Sequence, residues 1–143
     1  MKISYFNAKP YYDTDTVRET MLEALPAKNE EMLDKILQRY NDDEQMSLVG
    51  CVDEKENMLG LIGVKFDTPE TATILHLMAN NSHIQDAIKQ GLINKIISMY
   101  KLKKIVGRAS EPNLKLFLSI GFRQRLIGEK PLGTNWYAVE KEI

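Results

Sequence analysis

A single cysteine, Cys51, among 143 residues excludes an internal disulfide and a cysteine-only metal site. It sits in the apolar run SLVGCV and reads as a core residue, because a buried thiol without a partner base stays protonated and inert. Charge of one sign is also lacking. Nineteen basic residues oppose twenty acidic ones, a formal net charge of -1, so bulk electrostatics favour neither nucleic acid nor an anionic membrane surface. No apolar run approaches the ~20 residues that span a bilayer, and the opening MKISYFNAKPYY has no apolar signal-peptide region. The expectation is a soluble, cytoplasmic protein. No repeat, low-complexity tract or Gly/Ser-rich linker interrupts the chain, and 43% hydrophobic residues with 27% charged suit one globular domain over residues 1–143.

The residues that are present alternate between helical and extended periods. Met1 to Asn7 reads as a short strand. Asp15 to Leu25 reads as a helix stopped by Pro26, with Val17, Met21, Leu22 and Leu25 on one face. Asn29 is a capping residue for a second helix, Glu30 to Tyr40, whose apolar row is Met32, Leu33, Ile36, Leu37 and Tyr40. Strands follow at Ser47 to Val52, Met58 to Phe66 and Thr71 to Ala79, joined by the polar hairpin segment DEKEN and by the turn Asp67-Thr68-Pro69-Glu70. The last of the three is apolar enough for a central strand covered on both faces. A helix Asp86 to Tyr100, a strand Lys104 to Arg108, a helix Pro112 to Ile120 and strands Arg123 to Ile127 and Trp136 to Glu140 complete the reading. The strand-helix-strand crossover from Ile74 to Val106 predicts one parallel pair in a mostly antiparallel sheet, an α/β (α+β) fold with a mixed sheet.

The stretch Asn80 to Tyr100 holds the strongest functional signal. A helix that starts at the end of a strand presents free backbone N–H groups and a partial positive charge, which suit a phosphate or pyrophosphate. Ile88, Leu92 and Ile96, with Ile93, Ile97 and Tyr100, form the packing stripe. Gly91 within it implies close approach by a neighbouring strand or a ligand.

The order of elements, together with Gln85-Asp86-Ala87-Ile88-Lys89-Gln90 and SEPNLKLFLSIGF (Ser110 to Phe122), resembles the GNAT superfamily of N-acetyltransferases. The likeness covers most of the chain and is strongest from Ser47 to Val139. The first segment is similar to the family's Q/R-x-x-G-x-G/A loop, with Gln85 in place but Ile88 and Gln90 where glycine and Gly or Ala are usual. The second is similar to N-x-x-A-x-x-x-Y-x-K-x-G-F, with Ser110, Asn113 and Phe117 at the Asn, Ala and Tyr positions and Gly121-Phe122 intact. The resemblance implies a GNAT-like sheet with helices on both faces and acetyl-CoA as cosubstrate. It also implies a coenzyme site formed by Met78, Ala79, Asn80, Gln85, Asp86, Ala87, Ile88, Lys89, Gln90, Asn113 and Phe117. The activity implied is acetyl transfer to a primary amine of a small molecule or peptide by direct attack in a ternary complex, with no metal and with a homodimer left open.

Transfer to an amine needs a proton acceptor and a proton source for the departing thiolate. His76, inside the third strand of the hairpin series, is the candidate base, weighed against an ordinary hydrogen-bonded core histidine. His83 lies in the following loop. Phe117 has no proton to give where the family has tyrosine, so Tyr137 on the last strand is the candidate acid, weighed against a packed strand aromatic. Backbone N–H groups near Ala79 and Asn80 are candidates to polarise the thioester oxygen. Lys101, Lys103 and Lys104 read as a solvated helix end, and Asp15, Glu19, Glu23, Glu30, Glu31 and Asp34 as solubilising or amine-steering charges. The alternative function is a catalytically inactive GNAT-like ligand-binding or protein-interaction module, which Ile88, Gln90 and Phe117 together would allow.

Overall fold

The computed structural model describes residues 2–25, 28–80, 83–125 and 136–143. In chain order it contains β1 (Ser4–Asn7), a 3-10 turn (Lys9–Tyr11), α1 (Asp15–Ala24), α2 (Glu30–Asp42), β2 (Met46–Val52), β3 (Met58–Thr68), β4 (Thr71–Ala79), α3 (Gln85–Tyr100), β5 (Lys104–Ser110), α4 (Glu111–Ser119), β6 (Arg123–Arg125) and β7 (Trp136–Glu142). The sheet order is β1-β2-β3-β4-β5-β7-β6. Every neighbouring pair is antiparallel except β4 and β5, so the mixed sheet with one parallel pair is as the crossover requires. The proposed continuation of β6 to Ile127 and the proposed stop at Pro26 lie outside the described residues.

Local chemistry accounts for the helix ends. The Asn29 side chain accepts hydrogen bonds from the backbone N–H groups of Glu31 and Met32, at 2.9 and 3.1 Å, and satisfies two of the unpaired donors of α2. At the end of α4, Gly121 takes φ +96°. Phe122 N–H donates to Phe117 O at 3.0 Å and Gly121 N–H to Leu118 O at 3.3 Å. This is a Schellman closure, and its usual apolar contact is the edge-to-face pair Phe117–Phe122, 5.0 Å between centroids. The Gly-Phe of the family-like segment is thus a helix terminator.

The sheet is covered on both sides. Val49, Ile62, Val64, Ala72, Ile105 and Val139 pack under α3 and α4 with Ile88, Leu92, Ile93, Ile96 and Phe117. Leu48, Leu61 and Met46 pack under α1 and α2 with Val17, Met21, Leu33, Leu37 and Tyr40. Met32, expected on the apolar row of α2, is instead 43% exposed; the buried stripe of that helix runs through Leu33, Leu37 and Tyr40 and leaves Met32 at its margin. Cys51 is buried, and burial pushes its thiol up to about 11, consistent with a packing role. Gly91 meets Tyr5 of β1: a Cβ there would collide with the Tyr5 hydroxyl, so a neighbouring strand, not an open site, occupies the space beside it.

Candidate functional site: a cleft where β4 and β5 part

The site is made by the one parallel pair. The β4–β5 ladder contains only Thr71–Lys104, Ala72–Ile105 and Thr73–Val106, although β4 continues to Ala79 and β5 to Ser110. Six residues of β4 and four of β5 therefore run on past the last pairing. The local cause is visible in the β3–β4 register. Gly63 faces His76 and Val64 faces Ile74, so Leu75 has no counterpart in β3. One inserted residue is a β-bulge, which bends the strand and increases its twist.

The bulge also resets which way side chains point. Strict alternation would put His76 opposite in direction to both Leu75 and Leu77. Instead Leu75 and His76 together line a cavity of about 300 Å³ on the α1–α2 side, with Tyr40 and Lys65, while Ile74 and Leu77 both pack toward α3. Leu75 is 40% exposed. The second half of β4 is accordingly half-covered, where full burial was expected, because its neighbour on one side has moved away.

Both helices that follow the parted strands begin at the carboxyl ends of those strands, the place where open α/β sheets bind ligands. At the start of α3, Ile84 occupies the N-cap position and contributes no side-chain cap, and the first intrahelical bond is Ile88 N–H to Ile84 O, 2.9 Å. The N–H groups of Gln85, Asp86 and Ala87 precede that bond, and all three residues are exposed. Ile88 is 1% exposed and packs on Gly60 of β3, where a Cβ would come within 2.9 Å of the Ile88 side chain. Its bulk therefore faces the sheet and leaves the outer side of the helix turn open. Lys89 Nζ donates to Asn113 Oδ1 at 3.2 Å, which ties the first turns of α3 and α4 across the cleft. Gln90 is exposed.

Other candidates fall in distinct places. Met78 is half-buried opposite Leu61, and Ala79 is buried opposite Gly60. Asn80 N–H donates to Leu59 O at 2.8 Å and its amide to Met58 O at 2.9 Å. The Asn80 backbone donor is consumed by the sheet and is not free for a thioester oxygen, whereas Ala79 faces Gly60 without exchanging that bond. Phe117 is 3% exposed within the core. Tyr137 is half-buried opposite Ala109 on β5, and His83 is exposed before α3. Lys103 and Lys104 pair with Glu70 and Glu140 at the C-terminal end of α3, ~24 Å from its first turn at 1.5 Å per residue. They cannot serve the same ligand end.

His76 has a defined partner. The Tyr40 hydroxyl lies 2.7 Å from its Nδ1. Burial, opposed by Arg39, holds the Tyr40 phenol far above its ordinary range, so the hydroxyl keeps its proton; where it donates to Nδ1, the ring proton of neutral His76 sits on Nε2. Burial likewise lowers the His76 pKa. Gly63 makes room for this pair, since any Cβ there would overlap the Tyr40 hydroxyl.

Sequence reading missed two features, the Leu75 bulge and Glu140. Glu140 is 4% exposed yet charged. Burial raises its pKa, but Lys104 and Arg123, at 3.2 and 2.9 Å, outweigh that and hold it below the ordinary carboxylate value. No local signal marks either feature. Among the described residues no cluster of His, Cys, Asp or Glu is arranged to hold a metal ion, and no helix is long and apolar enough to cross a membrane.

No protein-family model matches the sequence, and no curated protein matches it. Solved structures do. The aminoglycoside 6'-N-acetyltransferase from Enterococcus faecium superposes with TM-score 0.79 at 13% identity, over 99% of this chain and 97% of that one. The N-acetyltransferase PseH of Campylobacter jejuni gives 0.72 at 14% identity, over 98% and 97%. Spermidine N-acetyltransferase from Vibrio cholerae, solved with CoA and spermine, gives 0.65 at 12% identity, over 98% and 95%. The chain has the GNAT fold of these N-acetyltransferases.

Proposed function

We propose that this protein is an acetyl-CoA-dependent N-acetyltransferase that moves the acetyl group to a primary amine. The observation that carries the reading is the cleft itself: β4 and β5 part after Thr73–Val106, and α3 opens onto the carboxyl end of β4 with no side-chain cap. The N–H groups of the exposed residues Gln85, Asp86 and Ala87 with the positive helix end would hold the pyrophosphate, and the inward packing of Ile88 on Gly60 supports this despite the missing glycine. Asp86 opposes an anion, and Lys89, held by Asn113, offsets it. Met78, Ala79, Asn80 and Gln90 are assigned to the same coenzyme, with Phe117 in the core behind it.

Acetyl-CoA supplies an activated acyl thioester, and transfer forms the N–C bond as the C–S bond breaks. The chain's part is to hold the two reactants in one cleft and to manage two protons. The Leu75 bulge turns backbone groups out of the ladder where the strands part, which suits them to the thioester oxygen. His76, tied through Nδ1 to Tyr40, lines the cavity on the acceptor side and takes the amine proton only at a ring nitrogen that carries no hydrogen; water is the readier acceptor. Tyr137, on the β7 strand beside β5, is assigned the proton for the departing thiolate.

Calorimetric titration with acetyl-CoA tests the reading. Binding with a rise in Tm that grows with ligand concentration is expected, about 2.7 kcal/mol of stabilisation at a hundredfold excess over Kd. No heat and no stabilisation at millimolar ligand would sink it.

A further inference from the structure

Helices α1 and α2 lie over β2, β3 and β4, whereas α4 packs on the other side of β5 and β7. On the α1–α2 side the outer strands therefore carry an open cavity of about 570 Å³, whose walls include Leu75, Val106, Arg108, Arg125, Ala138 and Glu140. Two of these residues are unusual. Arg108 is exposed, and its side chain makes no hydrogen bond or ion pair among the described residues. Arg125 reaches Glu140 only at 3.9 Å, and that carboxylate already holds Lys104 at 3.2 Å and Arg123 at 2.9 Å. Leu75, at the bulge, also borders the adjoining cavity that contains Arg39 and Lys65. The surface where the parted strands open thus combines an apolar floor with Arg108, which has no counter-charge among the described residues, and Arg125, which only shares the Glu140 carboxylate.

Resting on the acetyl-transfer reading, we infer that this cavity binds the acceptor, and that the acceptor is an amine which also carries a carboxylate separated from it by a short apolar spacer. Arg108, with Arg125 beside it, takes the carboxylate, because a guanidinium presents two parallel N–H donors that match two carboxylate oxygens. Val106, Ala138 and Leu75 cover the spacer. A polycationic amine is disfavoured, since it would place like charges against Arg108 and Arg125, while the lining carboxylate, Glu140, is already shared by Lys104, Arg123 and Arg125. The fold neighbours that act on an aminoglycoside and on spermidine therefore differ from this protein in acceptor charge.

Matched probes separate this inference from the reading it rests on. With acetyl-CoA present, thiol release is measured for 4-aminobutyrate, 6-aminohexanoate and lysine, for their carboxamides, and for spermidine. The acids are expected to show kcat/KM at least tenfold above their amides; Arg108→Gln should bring the two to parity, and Arg108→Lys should regain part of the difference. Without coenzyme, nitrogen-15 spectra of the full chain should show shifts at Arg108 and Leu75 with 6-aminohexanoate and none with its amide. Acid-specific shifts without turnover of any amine would support the anion site and defeat acetyl transfer. Equal or better turnover of amides or spermidine, an acid preference unchanged in Arg108→Gln, or no acid-specific shift at Arg108 would overturn the inference.

Discussion

Lys101 ends α3 with φ 52° and ψ 48°, the left-handed conformation that a side chain with a Cβ adopts at a cost of roughly 1–2 kcal/mol. Its backbone completes a Schellman closure, with Leu102 N–H donating to Ile97 O at 3.0 Å, where glycine is the usual residue. Lys101→Gly is expected to stabilise the protein by about 1 kcal/mol, read as a higher urea midpoint with an unchanged m-value. His76 makes an opposite, pH-dependent contribution. Because burial lowers its native pKa, the unfolded chain takes up the proton first as pH falls. Stability is level above the unfolded value of about 6.5 and declines below it until the lowered native value is reached. His76→Gln, which cannot titrate, should flatten that part of the stability curve. Tyr40→Phe should keep the slope while lowering stability by about 1–3 kcal/mol, because Nδ1 loses its hydrogen-bond partner. Urea midpoints between pH 5 and 8 check both.

At the scale of the element, α3 explains why a departure from a family-like glycine need not be a defect. Ile88 stands where glycine is usual, and the helix turns it inward onto Gly60 with 1% exposure. Here the glycine that permits close approach is on the strand, and the bulk is on the helix. Replacing Ile88 by Gly should therefore destabilise by about 3–6 kcal/mol, combining a large-to-small core change with the loss of helix propensity. The milder Ile88→Val should cost about 0.5–1.5 kcal/mol. Chemical denaturation measures both, and an Ile88→Gly variant as stable as the parent would show that the side chain does not fill the core as described. The element ends were legible from residues alone where a cap is local: Asn29 does what its position suggests, and Gly121-Phe122 terminates α4. Tyr5 against Gly91 was not legible, because β1 and α3 meet only in space.

At the scale of the molecule, the seven strands and single parallel pair among the described residues follow from the crossover between the strands at Ile74 and Val106, and the apolar periods of α2 and α3 place helices on opposite faces. The candidate site was only half readable. The helix start after β4 was evident as a strand-to-helix transition. The width of the cleft was not, since it depends on a one-residue slip between β3 and β4 that leaves no mark in composition. Residues distant in sequence set the rest of the surface. Tyr40 reaches His76 from α2, and Lys104, Arg123 and Arg125 converge on Glu140 from β5 and β6, which leaves Arg108 without a counter-charge among the described residues.

By itself, the sequence determined the elements, their order, the one parallel crossover and the apolar faces, because hydrophobic period, caps and turn residues act within a few positions of the chain. Only the tertiary structure decided that β4 and β5 part at Thr73–Val106, that Ile88 points into the core, that His76 is tied to Tyr40 and that Arg108 overlooks an open cavity. Each of those outcomes depends on which residues of different strands and helices become neighbours, and through-space packing and charge pairing, not local propensity, set them.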